Sequence, residues 1–137
     1  MSPSPVVQQV FPVAGLRPVA ELYDLSTRRR HPDRPWVVLT MISAADGSIA
    51  VDGHSAALGN DTDRAIFLTL RRSAQVILVG AETVRADNYS PVPDHQRLVV
   101  VSSSGDLGAR HETLLASTST TVVAGDVGDI TRSLTGE

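Results

Sequence analysis

Hydrophobic and polar positions occur in blocks along the chain, and these blocks predict strands separated by helices. The clearest blocks rich in aliphatic and β-branched residues span 36–42, 75–80, 97–102 and 119–124. Short runs of this kind, without strict alternation, are typical of strands that are covered on both faces in a parallel sheet. We therefore predict four strands, with a shorter β-like stretch over 48–51.

One block shows helical spacing instead. Four apolar residues fall on one face of a predicted helix: Ile66, Phe67, Leu70 and Ala74. Asn60 or Asp61 can cap its N-terminus, and Asp63 complements the helix dipole. Shorter helices are predicted over 19–26 and 82–87. Strands that alternate with helices indicate an α/β fold with a largely parallel sheet.

Turn signals and prolines divide the chain further. Two Asp-Gly pairs, at residues 46–47 and 52–53, predict tight turns because glycine adopts positive φ readily. Prolines and an arginine-rich loop interrupt the first part of the chain. We interpret these arginines as solvated linker charges, with a phosphate-binding patch as the alternative. The predicted organisation is an N-terminal extension over 1–33 and a single domain over 34–137.

Composition excludes several classes of protein. The 137 residues contain no cysteine, and the 12 basic residues, all arginine, against 15 acidic residues give a net charge of −3. Disulfide frameworks, thiolate zinc sites and Schiff-base lysines are thereby excluded. The four histidines show no metal-ligand spacing, so no metal site is predicted. Mild acidity argues against nucleic-acid binding, and neither a membrane span nor a signal peptide is predicted, so we expect a cytoplasmic protein.

Candidate functional residues follow the predicted strands and end the main helix. Gly80 ends a strand, and Thr83 lies in the first turn of the next helix, where a ligand could approach the backbone. A plain strand-to-helix turn is the alternative. Asp46 follows the first strand and is either a functional carboxylate or only a turn former. Arg71 could bind a substrate phosphate or simply complement the helix dipole. Residues 102–105 could receive a phosphate or form a polar loop.

These segments, taken in order, resemble a known enzyme family. The chain has Ser-Ala-Ala-Asp-Gly at 43–47 and Gly-Ala-Glu-Thr-Val-Arg-Ala-Asp-Asn at 80–88, with matching residues between them. Over residues 34–104 it is similar to the pyrimidine reductase of riboflavin biosynthesis, the C-terminal half of the bifunctional deaminase/reductase. The resemblance implies a dihydrofolate-reductase-like α/β fold with a mostly parallel sheet flanked by helices.

The resemblance also implies an activity and residue roles. Family members use NADPH to transfer hydride to the ribosyl C1′ of a 5-amino-6-(phosphoribosylamino)uracil-like substrate. Asp46 matches a position beside the reacting groups and is the predicted catalytic residue. The positions that match cofactor contacts are Ser43, Ala57, Thr83, Asp87 and Ser102, and Gly80, at the strand end described above, is predicted to bind the cofactor with them. Ser55 and Arg71 match substrate contacts, with Arg71 reaching the phosphate.

Three departures from the family keep alternatives open. We expect the deaminase half to be absent, and Tyr89 and Ser90 stand between Asn88 and Pro91, where the family has a proline directly after its Asp or Asn. The chain also has no Glu-Gly-Gly segment, so we expect the closing C-terminal strands to be missing, together with the family's homodimer interface. The chain is then either a reductase, active or inactive at this length, or a non-catalytic nucleotide-binding or interaction fragment. A third alternative is a paralogue that reduces another heterocycle, with a relocated substrate loop over 89–95.

Overall fold

The computed structural model describes residues 5–26, 28–29 and 31–123. These residues form two compact units, which meet in sequence between Ala74 and Gln75. Each unit has its own secondary structure. Within the described ranges, no helix has the length and apolar character needed to cross a membrane.

The first unit begins with a β-hairpin that the sequence did not predict. Strands β1 (Val6–Gln9) and β2 (Gly15–Pro18) pair in antiparallel register. The short helix α1 (Val19–Leu22) follows directly and buries Val19 completely. The predicted helix over 19–26 is therefore present but shorter, because Tyr23 already closes its last turn.

The main helix confirms the prediction from hydrophobic spacing. Helix α2 (Asp61–Ser73) begins after Asn60, whose side-chain oxygen accepts hydrogen bonds from the backbone N–H groups of Thr62 (2.9 Å) and Asp63 (3.0 Å). This is N-capping, which satisfies two donors that have no partner inside the helix. The apolar face is only partly buried, and Phe67 remains 38% exposed.

The predicted strand over 36–42 is wrong for the described structure. These residues form no ladder, and Val37 and Leu39 are more than four-fifths exposed (82% and 83%). The apolar composition gave the right propensity, but a strand needs a neighbour that accepts and donates its backbone hydrogen bonds. Strands β1 and β2 pair with each other, and residues 36–42 join neither of them.

The second unit is a parallel sheet with helices packed on one face. Strands β3 (Val76–Gly80), β4 (Arg97–Val101) and β5 (Thr120–Val123) lie in that order, and both pairings are parallel. Helices α3 (Ala81–Ala86) and α4 (His111–Leu115) provide the connections, the latter preceded by a 3-10 turn. This confirms three of the predicted strands, although Ala124 lies outside the described residues.

The core of the second unit lies between the sheet and its helices. Leu98 and Val100 of β4 are fully buried against Val84 of α3 and Leu114 of α4. Ile77 and Val79 of β3 and Val122 of β5 pack at its margin. The resulting three-stranded parallel sheet with flanking helices is consistent with the dihydrofolate-reductase-like α/β fold that the sequence predicts. This core fixes the ends of β3 and β4, which carry part of the candidate site.

Candidate functional site

In the second unit, two predicted cofactor positions lie at the carboxyl ends of neighbouring strands. Gly80 ends β3 and pairs in register with Val101 of β4, and Ser102 is the next residue. The carboxyl edge of a parallel sheet is where ligands bind in open α/β folds. The structure thus places Gly80 and Ser102 at adjacent strand ends.

Gly80 has open space where a side chain would begin. A Cβ atom built on Gly80 would have no heavy atom within 4 Å beyond its chain neighbours, and the residue is exposed. Its backbone angles (φ −76°, ψ 149°) are extended and suit any amino acid. Neither strain nor crowding within the described residues therefore requires glycine here, and the open space would allow a ligand to approach the backbone.

Ser102 is buried and helps to shape the loop after β4. The residue is only 5% exposed, and its hydroxyl oxygen accepts a hydrogen bond of 2.9 Å from the Gly105 N–H. Its own N–H donates to the Val123 carbonyl at 3.0 Å. The hydroxyl hydrogen can still be donated to a ligand. A shallow depression of about 470 Å³ adjoins this loop, lined by Ser104, Gly105, Asp106 and His111.

The other two predicted cofactor positions of the second unit lie on the exposed side of α3, Thr83 within the helix and Asp87 at its C-cap. Thr83 and Asp87 are one helical turn apart, and the Asp87 N–H donates to the Thr83 carbonyl at 2.9 Å. Both residues are exposed, whereas Ala81 and Val84 on the opposite side are buried in the core. Burial of that face therefore orients a hydroxyl and a carboxylate outward together, as groups that can bind the hydroxyls or donors of a nucleotide.

In the first unit, Asp46 lies within a tight turn over residues 44–47, and Ser43 directly precedes that turn. The Gly47 N–H donates to the Ala44 carbonyl at 3.0 Å, and Gly47 has a φ of 87°. The Asp46 carboxylate accepts a hydrogen bond of 2.9 Å from the Ser48 N–H. Hydrogen bonds from the Ser48 backbone and side chain stabilise the charged form and hold the pKa of Asp46 below its ordinary value. Asp46 is therefore ionised at neutral pH and already forms part of its turn.

The second Asp-Gly pair forms the turn that the sequence predicts. Asp52 and Gly53 both have positive φ, at 50° and 81°, as a two-residue type I′ hairpin turn requires. Val51 and His54 exchange both backbone hydrogen bonds at 3.0 Å. Of the predicted β-like stretch over 48–51, only Val51 pairs, through this isolated bridge.

The predicted substrate positions lie in two other elements of the first unit. Ser55 shares a 3-10 turn, Ser55–Leu58, with the cofactor position Ala57, and both residues are exposed. Arg71 lies in the last turn of α2, half-buried, beside the exposed Arg72. The described residues contain no group of histidine and acidic side chains that could hold a metal ion.

Arg110, which is outside the predicted set of site residues, contacts the residues that follow helix α3. Arg110 donates hydrogen bonds to the segment that directly follows Asp87. No signal in the sequence points to it, because Arg110 lies more than twenty positions along the chain in a polar stretch. Only the packing of the second unit brings the two segments together.

Comparison with known proteins gives one result at the level of a family. The family model described as the RibD C-terminal domain matches residues 35–131. The match spans well over half of the chain and contains every predicted site residue. Among curated proteins, none matches this sequence.

Proposed function

Since the chain belongs to the family of the RibD C-terminal domain, which has a reductase role in riboflavin biosynthesis, we propose that it is an NADPH-dependent pyrimidine reductase. Its proposed substrate is a ribosylaminopyrimidine phosphate. The cofactor would supply the hydride that reduces C1′ of the ribosyl group and opens it to a ribitylamine. The residues of the chain bind and orient the two molecules.

The observation that carries this proposal is the arrangement at the carboxyl edge of the parallel sheet. Gly80 offers open space at the end of β3, and Ser102 follows the neighbouring strand β4. Thr83 and Asp87 share the exposed face of α3. A glycine that lets backbone approach a ligand, with hydroxyl and carboxylate groups nearby, fits the ribose and phosphate groups of a dinucleotide. These residues would hold the cofactor.

The first unit supplies the proposed substrate contacts. Arg71 would bind the phosphate, because a guanidinium group forms paired hydrogen bonds with phosphate oxygens. The Ser55 hydroxyl would bind the ribosyl or pyrimidine part. Because Asp46 is ionised at neutral pH, it would accept a hydrogen bond or stabilise positive charge, and it would not serve as a proton donor.

A second candidate function is nucleotide binding without turnover. The observation that favours it is the position of the Asp46 carboxylate, which accepts the Ser48 N–H and so has a structural role. If that is its only role, the chain keeps cofactor affinity and has no catalytic carboxylate here. Asp46→Asn distinguishes the two: a reductase loses turnover, whereas a binding module changes only in turn stability.

The proposal is tested by calorimetric titration of NADPH into the full chain, followed by assay of NADPH oxidation with the phosphorylated pyrimidine. We expect binding and turnover. Arg71→Ala should reduce turnover about tenfold or more at limiting substrate while NADPH binding persists. Arg72→Ala, one position along the same helix, is the matched control and should remain near wild type.

Two results would contradict the proposal in different ways. If the wild-type chain neither binds nor oxidises NADPH, the assignment as an NADPH-dependent reductase is wrong. If NADPH is oxidised with the phosphorylated pyrimidine but Arg71→Ala leaves the rate unchanged, Arg71 does not bind the substrate phosphate, and the proposed substrate contact is wrong.

A further inference from the structure

The end of helix α3 has a defined hydrogen-bonded cap. Asn88 adopts the left-handed conformation (φ 51°) directly after the helix, and the Tyr89 N–H donates to the Val84 carbonyl at 3.2 Å. This bond between C″ and C3 is the signature of a Schellman cap, which usually has a hydrophobic contact between the same two positions. Tyr89 packs against the core cluster that contains Val84, which meets that expectation.

Arg110 binds this cap from outside the helix. Its Nε donates to the Tyr89 carbonyl at 2.8 Å. One terminal nitrogen donates to the Asn88 carbonyl at 3.1 Å and to the Ser90 hydroxyl oxygen at 3.2 Å. A single planar guanidinium group thus engages three consecutive residues, and its positive charge lies at the C-terminal end of α3, where the helix dipole favours a cation.

The segment that carries Arg110 is itself fixed against α3. Leu107 and Leu114 on either side are fully buried in the same core as Val84. Arg85 of α3 donates to the Asp106 carbonyl at 2.7 Å. Hydrogen bonds thus connect the two elements in both donor directions. Arg85 of α3 donates to the segment, and Arg110 of the segment donates to the residues that end α3.

Close packing leaves this segment little freedom to move away. Gly108 has a φ of 62°, and a Cβ there would lie 3.2 Å from the Cγ of Arg85. The Gly108 N–H also donates to the Asp106 carboxylate at 2.7 Å. The position of Arg110 is thus set by buried leucines and by a turn that only glycine accommodates without strain.

We infer that Arg110 is a positioning residue that holds the end of α3, and with it the carboxylate of Asp87, in the orientation that binds the cofactor. The part that concerns NADPH rests on the proposed function. Arg110 donates to the backbone after Asp87, so it acts through the geometry of that segment. Loss of the guanidinium group should loosen the cap and weaken cofactor binding while the sheet remains folded.

The first test measures the cap directly by hydrogen exchange in the full chain. Arg110→Gln should accelerate exchange of the Tyr89 amide about tenfold or more, because several charge-assisted hydrogen bonds are lost. In Arg110→Lys, the exchange rate of the Tyr89 amide should lie between those of the wild type and Arg110→Gln, because lysine donates from one nitrogen only. Arg97→Gln, at the exposed start of β4, is the matched control and should leave Tyr89 unchanged.

The second test asks whether the effect on NADPH passes through Asp87. We expect Arg110→Gln and Asp87→Asn each to raise the NADPH Kd about tenfold, the ratio that corresponds to ~1.4 kcal/mol. The double variant should lose little NADPH affinity beyond that lost in either single variant, because both substitutions remove the same contact with the cofactor. Arg110→Lys should recover part of the affinity, which nonspecific loss of stability would not predict.

Two outcomes would overturn the inference. One is unchanged exchange at Tyr89 in Arg110→Gln, which would show that the guanidinium group does not hold the cap. The other is full additivity in the double variant, which would show that Arg110 affects NADPH independently of Asp87. If the wild-type chain does not bind NADPH at all, the proposed function fails, and the exchange measurement alone decides the role of Arg110.

Discussion

Gly80→Ala distinguishes a ligand-binding reason for this glycine from a merely structural one. The added methyl group meets no heavy atom within 4 Å, and the backbone angles at this position are open to alanine. The protein should therefore fold as before. If a ligand approaches the backbone here, however, the methyl group occupies space that the ligand needs.

The expected change in stability is small because two effects oppose each other. Replacing glycine at a compatible backbone position stabilises by about 0.4–1 kcal/mol, because the unfolded chain loses conformational freedom. Gly80 is also the N-cap of α3, where alanine is less favourable than glycine by roughly 0.5 kcal/mol. The free energy of unfolding should therefore stay within about 0.5 kcal/mol of the wild-type value.

The expected change in binding is larger. Exclusion of a ligand atom from contact should raise the NADPH Kd about tenfold or more, which corresponds to at least ~1.4 kcal/mol. Urea denaturation gives the stability, and calorimetric titration gives the Kd. Gly15→Ala is the matched control, because Gly15 has equally open surroundings in β2. It should leave the Kd unchanged and raise the free energy of unfolding by about 0.4–1 kcal/mol, because no helix cap offsets the gain there.

The refuting result is specific. If Gly80→Ala binds NADPH with wild-type affinity at unchanged stability, no cofactor atom approaches this backbone, and the glycine has no ligand-binding role. Gly80→Ser adds a further check, because serine is a better N-cap than alanine. A gain in stability combined with a loss of affinity would show that the two effects are separate.

Three further predictions concern local structure. Asn60→Ala should lower the free energy of unfolding by about 1 kcal/mol in urea denaturation, because two backbone donors of α2 lose their acceptor. Leu98→Ala should lower it by about 2–5 kcal/mol, since this side chain is fully buried in the core of the second unit. In an NMR titration, the pKa of Asp46 should lie below 3.8 and move toward that value in Ser48→Ala, which removes one of the two kinds of hydrogen bond.

Each of these predictions has its own control or contradicting result. Asn60→Asp keeps the acceptor oxygen and should retain most of the stability. Leu78→Ala, on the neighbouring strand but 53% exposed, should destabilise less than half as much as Leu98→Ala. Equal effects would mean that Leu98 contributes no more to the core of the second unit than the exposed Leu78.

The pH dependence that follows from Asp46 has a definite sign. Its pKa is lowered in the folded state, so its contribution to stability is present above the unfolded value of 3.8. That contribution is lost as the pH falls below 3.8 through the folded pKa. A folded pKa at or above 3.8 would mean that the Ser48 hydrogen bonds do not persist in solution.

The sequence alone determined those parts of the protein whose interactions are local. The Asn60 cap joins residues two and three positions apart, and the type I′ turn at Asp52–Gly53 needs only two residues with positive φ. Helix α2 and strands β3 to β5 were predicted for a similar reason, because each carries a strong pattern within its own length. The family resemblance rested on such short motifs as well, and the family match agrees with it.

Only the tertiary structure decided what depends on distant partners. Residues 36–42 have the composition of a strand, yet a strand forms only where another strand completes its hydrogen bonds, and the described structure gives them none. The Asp-Asn of the motif likewise acquires a structural role through Arg110, which reaches Asn88 from more than twenty residues away. Composition and spacing report on neighbours in sequence, whereas strand pairing and the Arg110 contact depend on which distant segments the core brings together.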